Sequence, residues 1–315
     1  MDIVSHYLNS LKITSSSISK WQLSEPWGVN VTNFSPSYML TVVSGKPVFV
    51  KTKSDSIVLN CGEAFMVPRG GDCTITSEFP KHLSPISELP WVGLTSSGYN
   101  IEDYNPLPMQ VTLEGEGEET ILLGIAFQLN DGAGGMVING LPEFLVFKES
   151  ESKLLELIKP IIEHLIEDSK LGYYALASQL AELSVVGLLR EYILNNKDFP
   201  VGPLKGLVDR RLGKVLLSIH NEPAFDWTLD SLASVSNMSR SGFALRFKSD
   251  IGIAPMAYLQ RLRLSIAKKL LKESKVSVVS VAQSVGFHSD RVFRAAFKKE
   301  FGHSPYSYKR LSQHQ

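Results

Sequence analysis

The chain of 315 residues contains only two cysteines, Cys61 and Cys73, and no His-x-His pair. Its seven histidines are scattered, so the converging imidazole and carboxylate groups of a metal-dependent barrel enzyme are not predicted. No run of about eighteen apolar residues occurs, and residues 1–19 have neither a basic start nor a continuous apolar core. We therefore expect no metal, no cofactor, no membrane span and no export, and a cytoplasmic location.

Net charge is also absent, because 32 basic residues balance 32 acidic ones. The balance hides an asymmetry along the chain. Residues 206–315 contain 18 Lys or Arg and 8 Asp or Glu, which leaves 14 and 24 for residues 1–205. A strongly basic segment joined to an acidic one is typical of a nucleic-acid-binding module attached to a domain of another kind.

One motif occurs twice in the basic segment. Matched residues lie 49 apart before a turn and 50 apart after it, so the second copy is longer by one residue. The pairs are Leu232/Val281, Ala233/Ala282, Asn237/Gly286, Met238/Phe287, Ser239/Ser289, Phe243/Phe293, Phe247/Phe297, Lys248/Lys298, Gly252/Gly302, Pro255/Pro305 and Tyr258/Tyr308. Each copy predicts a short helix, a turn, a capping Ser and a second helix with one apolar face. Two helix-turn-helix units in tandem indicate DNA binding.

A connecting helix is predicted between the units over residues 256–272, because Gly252 and Pro255 supply a stop and a new start. At about 1.5 Å per residue this helix spans roughly 25 Å. It can therefore hold two reading helices about one duplex turn apart. Asn237 and Gly286 occupy the sharp turns, where residues that tolerate a left-handed backbone are expected.

Residues 209–310 resemble the C-terminal domain of AraC/XylS-type transcriptional regulators. The motifs concerned are Gly286-Phe287, Phe293, Phe297-Lys298, Phe301-Gly302, Ser304-Pro305 and Tyr308. The resemblance implies seven helices, the first over residues 210–221, and two reading helices in successive major grooves. By position it assigns base contacts to Arg240, Ser241, Ala244, Leu245, Asp290, Arg291, Arg294 and Ala295. Phosphate contacts are assigned to Ser239, Lys248, Ser289, Lys298, Lys299 and Lys309.

Two of these arginines, Arg240 and Arg291, suit guanine best, because a guanidinium can donate two parallel hydrogen bonds to the O6 and N7 atoms. Ala244, Leu245 and Ala295 can offer only an apolar contact to a thymine methyl group.

Short apolar runs bounded by turn residues fill residues 1–148, at 38–43, 47–50, 56–59, 64–67 and 73–76. They predict consecutive antiparallel strands that close into a barrel or sandwich. The segment 62–70, GEAFMVPRG, resembles a conserved strand and turn of small cupin barrels. The region also resembles the cupin-type N-terminal domain of one group of these regulators, through Trp27-Gly28, Leu123-Gly124 and Leu141-Pro142.

A barrel of this size can hold one small ligand. Aromatic residues that either line such a pocket or fill the core are Trp27, Tyr38, Phe49, Phe65, Trp91 and Phe127. The acidic surplus of this region suits a neutral or cationic effector better than an anionic one.

Two amphipathic helices are predicted in the segment 149–195, and the apolar stripe of the second is a candidate dimer seam. Residues 196–206, rich in Pro, Gly and polar residues, predict a linker before a DNA-binding domain at 207–315. The predicted fold is therefore α+β and multidomain. A cupin-like barrel and a helical segment precede an all-α domain with two helix-turn-helix motifs.

The two cysteines lie near the ends of two predicted strands joined by residues 62–72. If those strands pair, the Cys61 and Cys73 thiols approach disulfide distance and form a redox switch. In a reducing compartment, however, two ordinary half-buried thiols are the favoured interpretation.

The sequence thus predicts a sequence-specific transcription regulator that senses a small effector or a chemical stress through its barrel. The resemblance implies activation, with RNA polymerase as a partner. The two helix-turn-helix units indicate promoter DNA, and the apolar stripe of the second helix after the barrel indicates a homodimer. Two alternatives stay open. One is a barrel enzyme, such as an isomerase or a metal-free lyase, with a DNA-binding tail. The other is a regulator whose barrel binds only protein.

Overall fold

A computed structural model describes residues 2–11, 13–32, 34, 36–80, 82–92, 108–129, 138, 140–168, 171–196, 199–273 and 276–312. The chain divides into two compact units. The sheet unit consists of residues 13–129 and 141–192. The helical unit consists of residues 1–12, 130–140 and 193–315.

The strands of the sheet unit form two sheets. Within the described residues they are β1 Ile13–Ser24, β2 Gly28–Val31, β3 Ser37–Ser44, β4 Val48–Lys51, β5 Ser56–Leu59, β6 Glu63–Val67, β7 Cys73–Thr76, β8 Ser84–Pro85, β9 Trp91–Val92, β10 Met109–Leu113, β11 Glu119–Leu129 and β12 Leu145–Lys148. One sheet has the order β12-β6-β3-β11-β1-β10-β9, and the other β5-β4-β7-β2-β8. Buried side chains from both sheets, including Leu40, Phe65, Val29 and Ile75, form one hydrophobic core.

All five apolar runs between residues 38 and 76 lie in strands, as predicted. The predicted pairing of consecutive strands is wrong for most of them. From β3 to β7, only β4 and β5 are both consecutive in the chain and paired in space, because the chain passes to the other sheet at the remaining turns. Two pairs, β1/β10 and β2/β8, are parallel. Alternating apolar residues indicate which face is buried but not which strand lies alongside.

Two helices follow the strands, as predicted: α2 Lys153–Glu167 and α3 Tyr173–Asn195. Ser152 starts α2, since its Oγ accepts a hydrogen bond from the Leu155 amide at 3.0 Å. The apolar stripe of α3 is divided. Leu189 is buried, whereas Leu176 and Leu183 are 62% and 57% exposed.

The helical unit contains α1 Ile3–Ser10, α4 Pro203–Val208, α5 Arg210–Asn221, α6 Leu229–Val235, α7 Arg240–Ile251, α8 Pro255–Glu273, α9 Val278–Ser284, α10 Asp290–Phe301 and α11 Pro305–Ser312. The predicted opening helix is α5 and the predicted connecting helix is α8. The seven helices from α5 to α11 agree with the expectation. Within the described ranges no helix is both long enough and apolar enough to cross a membrane.

The structure departs from the predicted boundaries in two places. Residues 203–206, predicted as linker, belong to α4, where Gly202 precedes the first turn and Pro203 begins it. Leu204 and Leu207 are buried, so this helix is part of the helical unit. Helix α1 also belongs to that unit, although its position in the sequence placed it with the barrel.

Candidate nucleic-acid interface

Each helix-turn-helix unit has the local chemistry that the repeat predicted. The Ser239 Oγ accepts a hydrogen bond from the Gly242 amide at 3.2 Å, which caps α7. The Ser289 Oγ accepts one from the Val292 amide at 3.4 Å, which caps α10. In the turns before these caps, Asn237 has a φ of 52° and Gly286 a φ of 87°. Both turns therefore require the left-handed backbone that the sequence indicated.

Phenylalanine pairs fix the two reading helices to their units. The ring centroids of Phe243 and Phe247 are 5.5 Å apart, and those of Phe293 and Phe297 are 5.6 Å apart. All four side chains are fully buried. Because residues four apart share one helix face, this packing leaves the opposite faces of α7 and α10 in solvent.

The outward face of α7 displays the positions assigned to the first unit. Arg240, Ser241, Leu245 and Lys248 are exposed, and Ala244 is half-buried. Leu245 is 74% exposed. It is therefore a large apolar side chain in contact with water, whereas Phe243 and Phe247 on the same helix are buried. The guanidinium of Arg240 lies 3.1 Å from the carboxylate of Asp230 on α6. Since both side chains are about two-thirds exposed, this ion pair is weak and easily exchanged for another partner.

The outward face of α10 is more basic. Arg291, Arg294, Ala295, Lys298 and Lys299 are exposed. Arg294 forms an ion pair with Asp290 one turn earlier, and its guanidinium lies 4.8 Å from the centroid of the Tyr306 ring. Within the described ranges Arg291 makes no ion pair and no hydrogen bond. On α10, Arg294 thus has internal partners, whereas Arg291 has none among the residues that the structure describes.

Three further residues of the second unit differ from expectation or were not foreseen. The Lys309 ammonium donates a hydrogen bond to the Val276 carbonyl, although it was assigned to phosphate. Tyr306, beneath Arg294, was not identified because its partner lies on another helix. Val292 is 55% exposed beside Arg291 and was also missed. The sequence signal that could have identified Val292 is its position, an apolar residue on the otherwise polar face of the predicted helix.

The aromatic residues assigned to an effector pocket lie mainly in the interior of the sheet unit. Trp27, Tyr38, Phe65 and Phe127 are buried, and Phe49 and Trp91 are half-buried. Among these, the Trp27 Nε1 is buried and has no hydrogen-bond partner within the described residues. A buried donor of this kind is unusual, because most buried polar groups are paired.

Both cysteines are free thiols. Cys61 is exposed and donates to the Val43 carbonyl at 2.9 Å. Cys73 is buried and accepts a hydrogen bond from the Tyr38 hydroxyl at 3.1 Å. Burial raises the pKa of the Cys73 thiol to about 11. The strands beside the two cysteines, β5 and β7, do not pair, because β4 lies between them. The strand pairing that would bring the Cys61 and Cys73 thiols to disulfide distance is therefore not formed.

Across the described ranges no group of three or more His, Cys, Asp or Glu side chains is arranged to hold a metal ion.

Two capped helices of this kind, following a β-rich domain along the chain, define a class of protein, the DNA-binding transcription regulators with a separate N-terminal domain. A family model described as a helix-turn-helix domain matches residues 232–311, and one described as a cupin matches residues 2–194. The chain belongs to the AraC-type family of transcription regulators, in the group with a cupin domain.

Curated relatives support the same assignment. The chain is 34% identical over 175 residues to the HTH-type transcriptional regulator MtrA of Neisseria gonorrhoeae, covering 55% of this chain and 58% of MtrA. It is 34% identical over 177 residues to the RCS-specific HTH-type transcriptional activator RclR of Escherichia coli strain K12, covering 55% of this chain and 62% of RclR. The chain thus spans less than two thirds of either relative.

Among solved structures, the DNA-binding domain of AdpA in complex with a target DNA is 31% identical to this chain. The match covers 33% of this chain and 95% of the AdpA domain, with a TM-score of 0.33.

Proposed function

We propose that this protein reads a two-part promoter site by placing α7 and α10 in successive major grooves, and that it activates transcription through RNA polymerase. The main support is the pair of capped helices whose buried phenylalanines leave a polar face in solvent. Each face combines arginines that can contact bases with lysines that can contact phosphate. Such a protein acts where the chromosome is, which places it in the cytoplasm.

Within the second unit we propose different roles for its two arginines. Arg291, which has no internal partner among the described residues, reads a guanine. Arg294 is oriented by the Asp290 carboxylate below it and by the Tyr306 ring beside it. On this proposal Asp290 acts by positioning Arg294 rather than by contacting a base. In the first unit, the exposed Leu245 suits a thymine methyl group.

Arg291→Ala is expected to weaken binding to the specific site by about 1 to 3 kcal/mol and to relax the preference at one base pair. Lys298→Ala, on the same helix, is the matched control, because it removes one positive charge without removing a base contact. It should lower affinity by a similar factor on every sequence and reduce the salt dependence by about one charge. Fluorescence anisotropy on an operator chosen by in vitro selection, and on variants of it, measures the affinity of each protein and its dependence on sequence and salt. Equal losses on all sequences for Arg291→Ala would contradict direct readout.

We also propose that the sheet unit binds a small effector with a hydrogen-bond acceptor, close to the indole of Trp27. The support is the buried Trp27 Nε1, which has no partner within the described ranges, and its place in a core that also contains Tyr38 and Phe65. The acidic surplus of residues 1–205 favours a neutral or cationic molecule. The pKa of Cys73, raised by burial, makes its thiolate scarce and gives the redox alternative less support.

A metabolite present at about a hundred times its dissociation constant should stabilise the sheet unit by about 2.7 kcal/mol, which a thermal-shift screen detects. Trp27→Phe should abolish the shift. Trp21→Phe is the control, since the Trp21 Nε1 already donates to the Ser19 hydroxyl at 2.9 Å. The absence of any shift across the panel would favour a domain that binds only protein. A shift seen only on oxidation and lost in Cys73→Ser would support a thiol sensor.

Finally, we propose that the protein is a homodimer that uses the outward face of α2 and α3. Leu157 and Ile161 on α2, and Leu176 and Leu183 on α3, are each more than half exposed. Exposed large apolar side chains on both helices are unfavourable in water and support an interface there. Sedimentation velocity on the samples of the same screen tests the assignment, and a monomer at micromolar concentration would contradict it.

A further inference from the structure

Two of the differences between the copies of the repeat lie in the turn of the second unit and concern its contact with a neighbouring loop. Gly286 stands where the first copy has Asn237, and His288 is the one additional residue. These two residues face the same neighbour, the segment 222–228 between α5 and α6, which we call the bridging loop. The His288 Nε2 lies 2.7 Å from the Asp226 carboxylate of that loop.

Gly286 lies against the backbone of the bridging loop. A Cβ atom at this position would be 2.8 Å from the Ala224 carbonyl oxygen and 2.9 Å from its Cα. Such distances are too short for carbon, so the turn can approach the loop this closely only with glycine. Gly286 and His288, which set the second turn apart from the first, thus both contact the bridging loop.

Arg263 on the connecting helix α8 joins the loop and the turn. Its Nε donates to the Pro223 carbonyl at 2.7 Å, and its Nη2 donates to the Phe225 carbonyl at 2.8 Å. Its Nη1 donates to the Gly286 carbonyl at 2.9 Å. One rigid, planar guanidinium therefore holds two carbonyl groups of the loop and one of the second turn. Three charge-assisted hydrogen bonds in a fixed fork specify geometry as well as supply energy.

The bridging loop is itself well fixed and leads directly into the first unit. The Trp227 Nε1 donates to the Glu222 carbonyl at 2.9 Å, and the Trp227 and Phe225 ring centroids are 4.7 Å apart. Thr228 then caps α6 in a reciprocal arrangement with Ser231. The two helix-turn-helix units are consequently joined twice, once along α8 and once through the loop that Arg263 holds.

We propose that Arg263 is a positioning residue that sets one fixed spacing between the reading helices α7 and α10, and thereby the spacing of the half-sites that the protein accepts. The inference rests on the proposed two-part readout. A single helix can bend and twist, whereas a second connection removes that freedom. One added base pair moves a half-site by about 3.4 Å and rotates it by roughly a tenth of a turn. A fixed pair of helices cannot follow that shift.

The test compares affinities of the full-length protein for the selected operator and for the same operator with one base pair inserted between the half-sites. The wild type should prefer the original spacing by about tenfold or more. Arg263→Lys keeps the positive charge but loses the fork, and its preference should fall to about threefold or less. Its affinity for a single half-site should not change. Gln260→Ala, an exposed position on the same helix, should behave as the wild type.

The outcomes separate the inference from the proposed function. A folded Arg263→Lys protein that keeps the tenfold preference would overturn the positioning role. If Arg263→Lys does not fold, Gly286→Ala crowds the loop that Arg263 holds and should also lower the preference to about threefold or less; a folded Gly286→Ala protein that keeps the tenfold preference would overturn the role. A wild type that selects only single half-sites would instead refute the two-part readout itself.

Discussion

Replacing Tyr7 with alanine is expected to lower the free energy of unfolding of the helical unit by about 3 to 5 kcal/mol, the usual effect of removing a large buried aromatic side chain. Tyr7 lies on α1, and only 1% of its side chain is exposed. Its ring centroid is 4.7 Å from that of His220 on α5. The truncation leaves a cavity beside α5 and α8 that the surrounding helices can fill only in part.

Hydrogen bonds add to this packing. The Tyr7 hydroxyl lies 2.6 Å from the His220 Nε2 and 2.9 Å from the Tyr258 hydroxyl on α8. Burial raises the pKa of both tyrosines above the ordinary value of 10, so both hydroxyls stay protonated at neutral pH. Tyr7→Phe keeps the ring and removes only the hydroxyl. It should therefore cost less, about 1 to 3 kcal/mol.

Hydrogen exchange in the full-length protein measures this effect where it is expected, in the amides of α5 and α8. Local protection is the better readout, because a chain of two units need not unfold in one transition. The amides of β3 and β11 in the sheet unit are the internal control and should keep their protection. Unchanged protection of α5 and α8 in Tyr7→Ala would mean that α1 does not stabilise the helical unit.

The contact of Tyr7 with His220 was beyond the reach of sequence analysis, because the two residues are 213 positions apart. Helical periodicity shows which face of α1 is apolar but not which surface covers it. The N-terminal segment was therefore assigned to the barrel that follows it in the chain. One feature of the sequence did indicate that His220 is covered by another segment. It lies four and eight residues after Leu216 and Leu212, on the buried face of α5.

The starts and ends of α7 and α10 could be predicted because their determinants are local. Ser239 and Ser289 cap helices within three residues, and Gly252 and Gly302 end them in a left-handed backbone. Strand positions were likewise predictable from apolar alternation. Their partners were not, because β3 pairs with β6 and β11 rather than with a sequence neighbour. Local energetics define elements, whereas burial against distant segments defines their arrangement.

The same distinction between local and distant contacts applies to the repeat. Its two copies can be recognised from local residue types, but the reason why one turn has Asn and the other Gly depends on a distant segment. Asn237 and Gly286 were both expected in left-handed turns, and both adopt positive φ values of 52° and 87°. Backbone conformation alone would make the two residues nearly interchangeable, since Asn tolerates this region. The bridging loop packs against the second turn at Ala224, which is an additional reason for glycine there.

Gly286→Ala is expected to destabilise the helical unit by about 2 to 5 kcal/mol. The left-handed backbone accounts for about 1 to 2 kcal/mol of this loss. The remainder comes from pressing a methyl group against the Ala224 carbonyl oxygen and the Arg263 guanidinium, at 2.8 Å and 2.9 Å, since overpacking of this kind costs about 1 to 3 kcal/mol. The displaced loop should also reduce the half-site spacing preference, as Arg263→Lys does.

Two control variants separate backbone strain from crowding at this turn. Gly302→Ala has a similar φ of 78° but no atom within 4 Å of the new Cβ, so it should cost only about 1 to 2 kcal/mol. Gly286→Asn supplies a residue suited to the left-handed region and keeps the crowding, so its cost should stay close to that of Gly286→Ala. Hydrogen exchange of the α5 and α8 amides in the full-length protein gives all three values. A near-neutral Gly286→Asn would mean that backbone conformation alone selects glycine, and that the bridging loop can move away from the second turn.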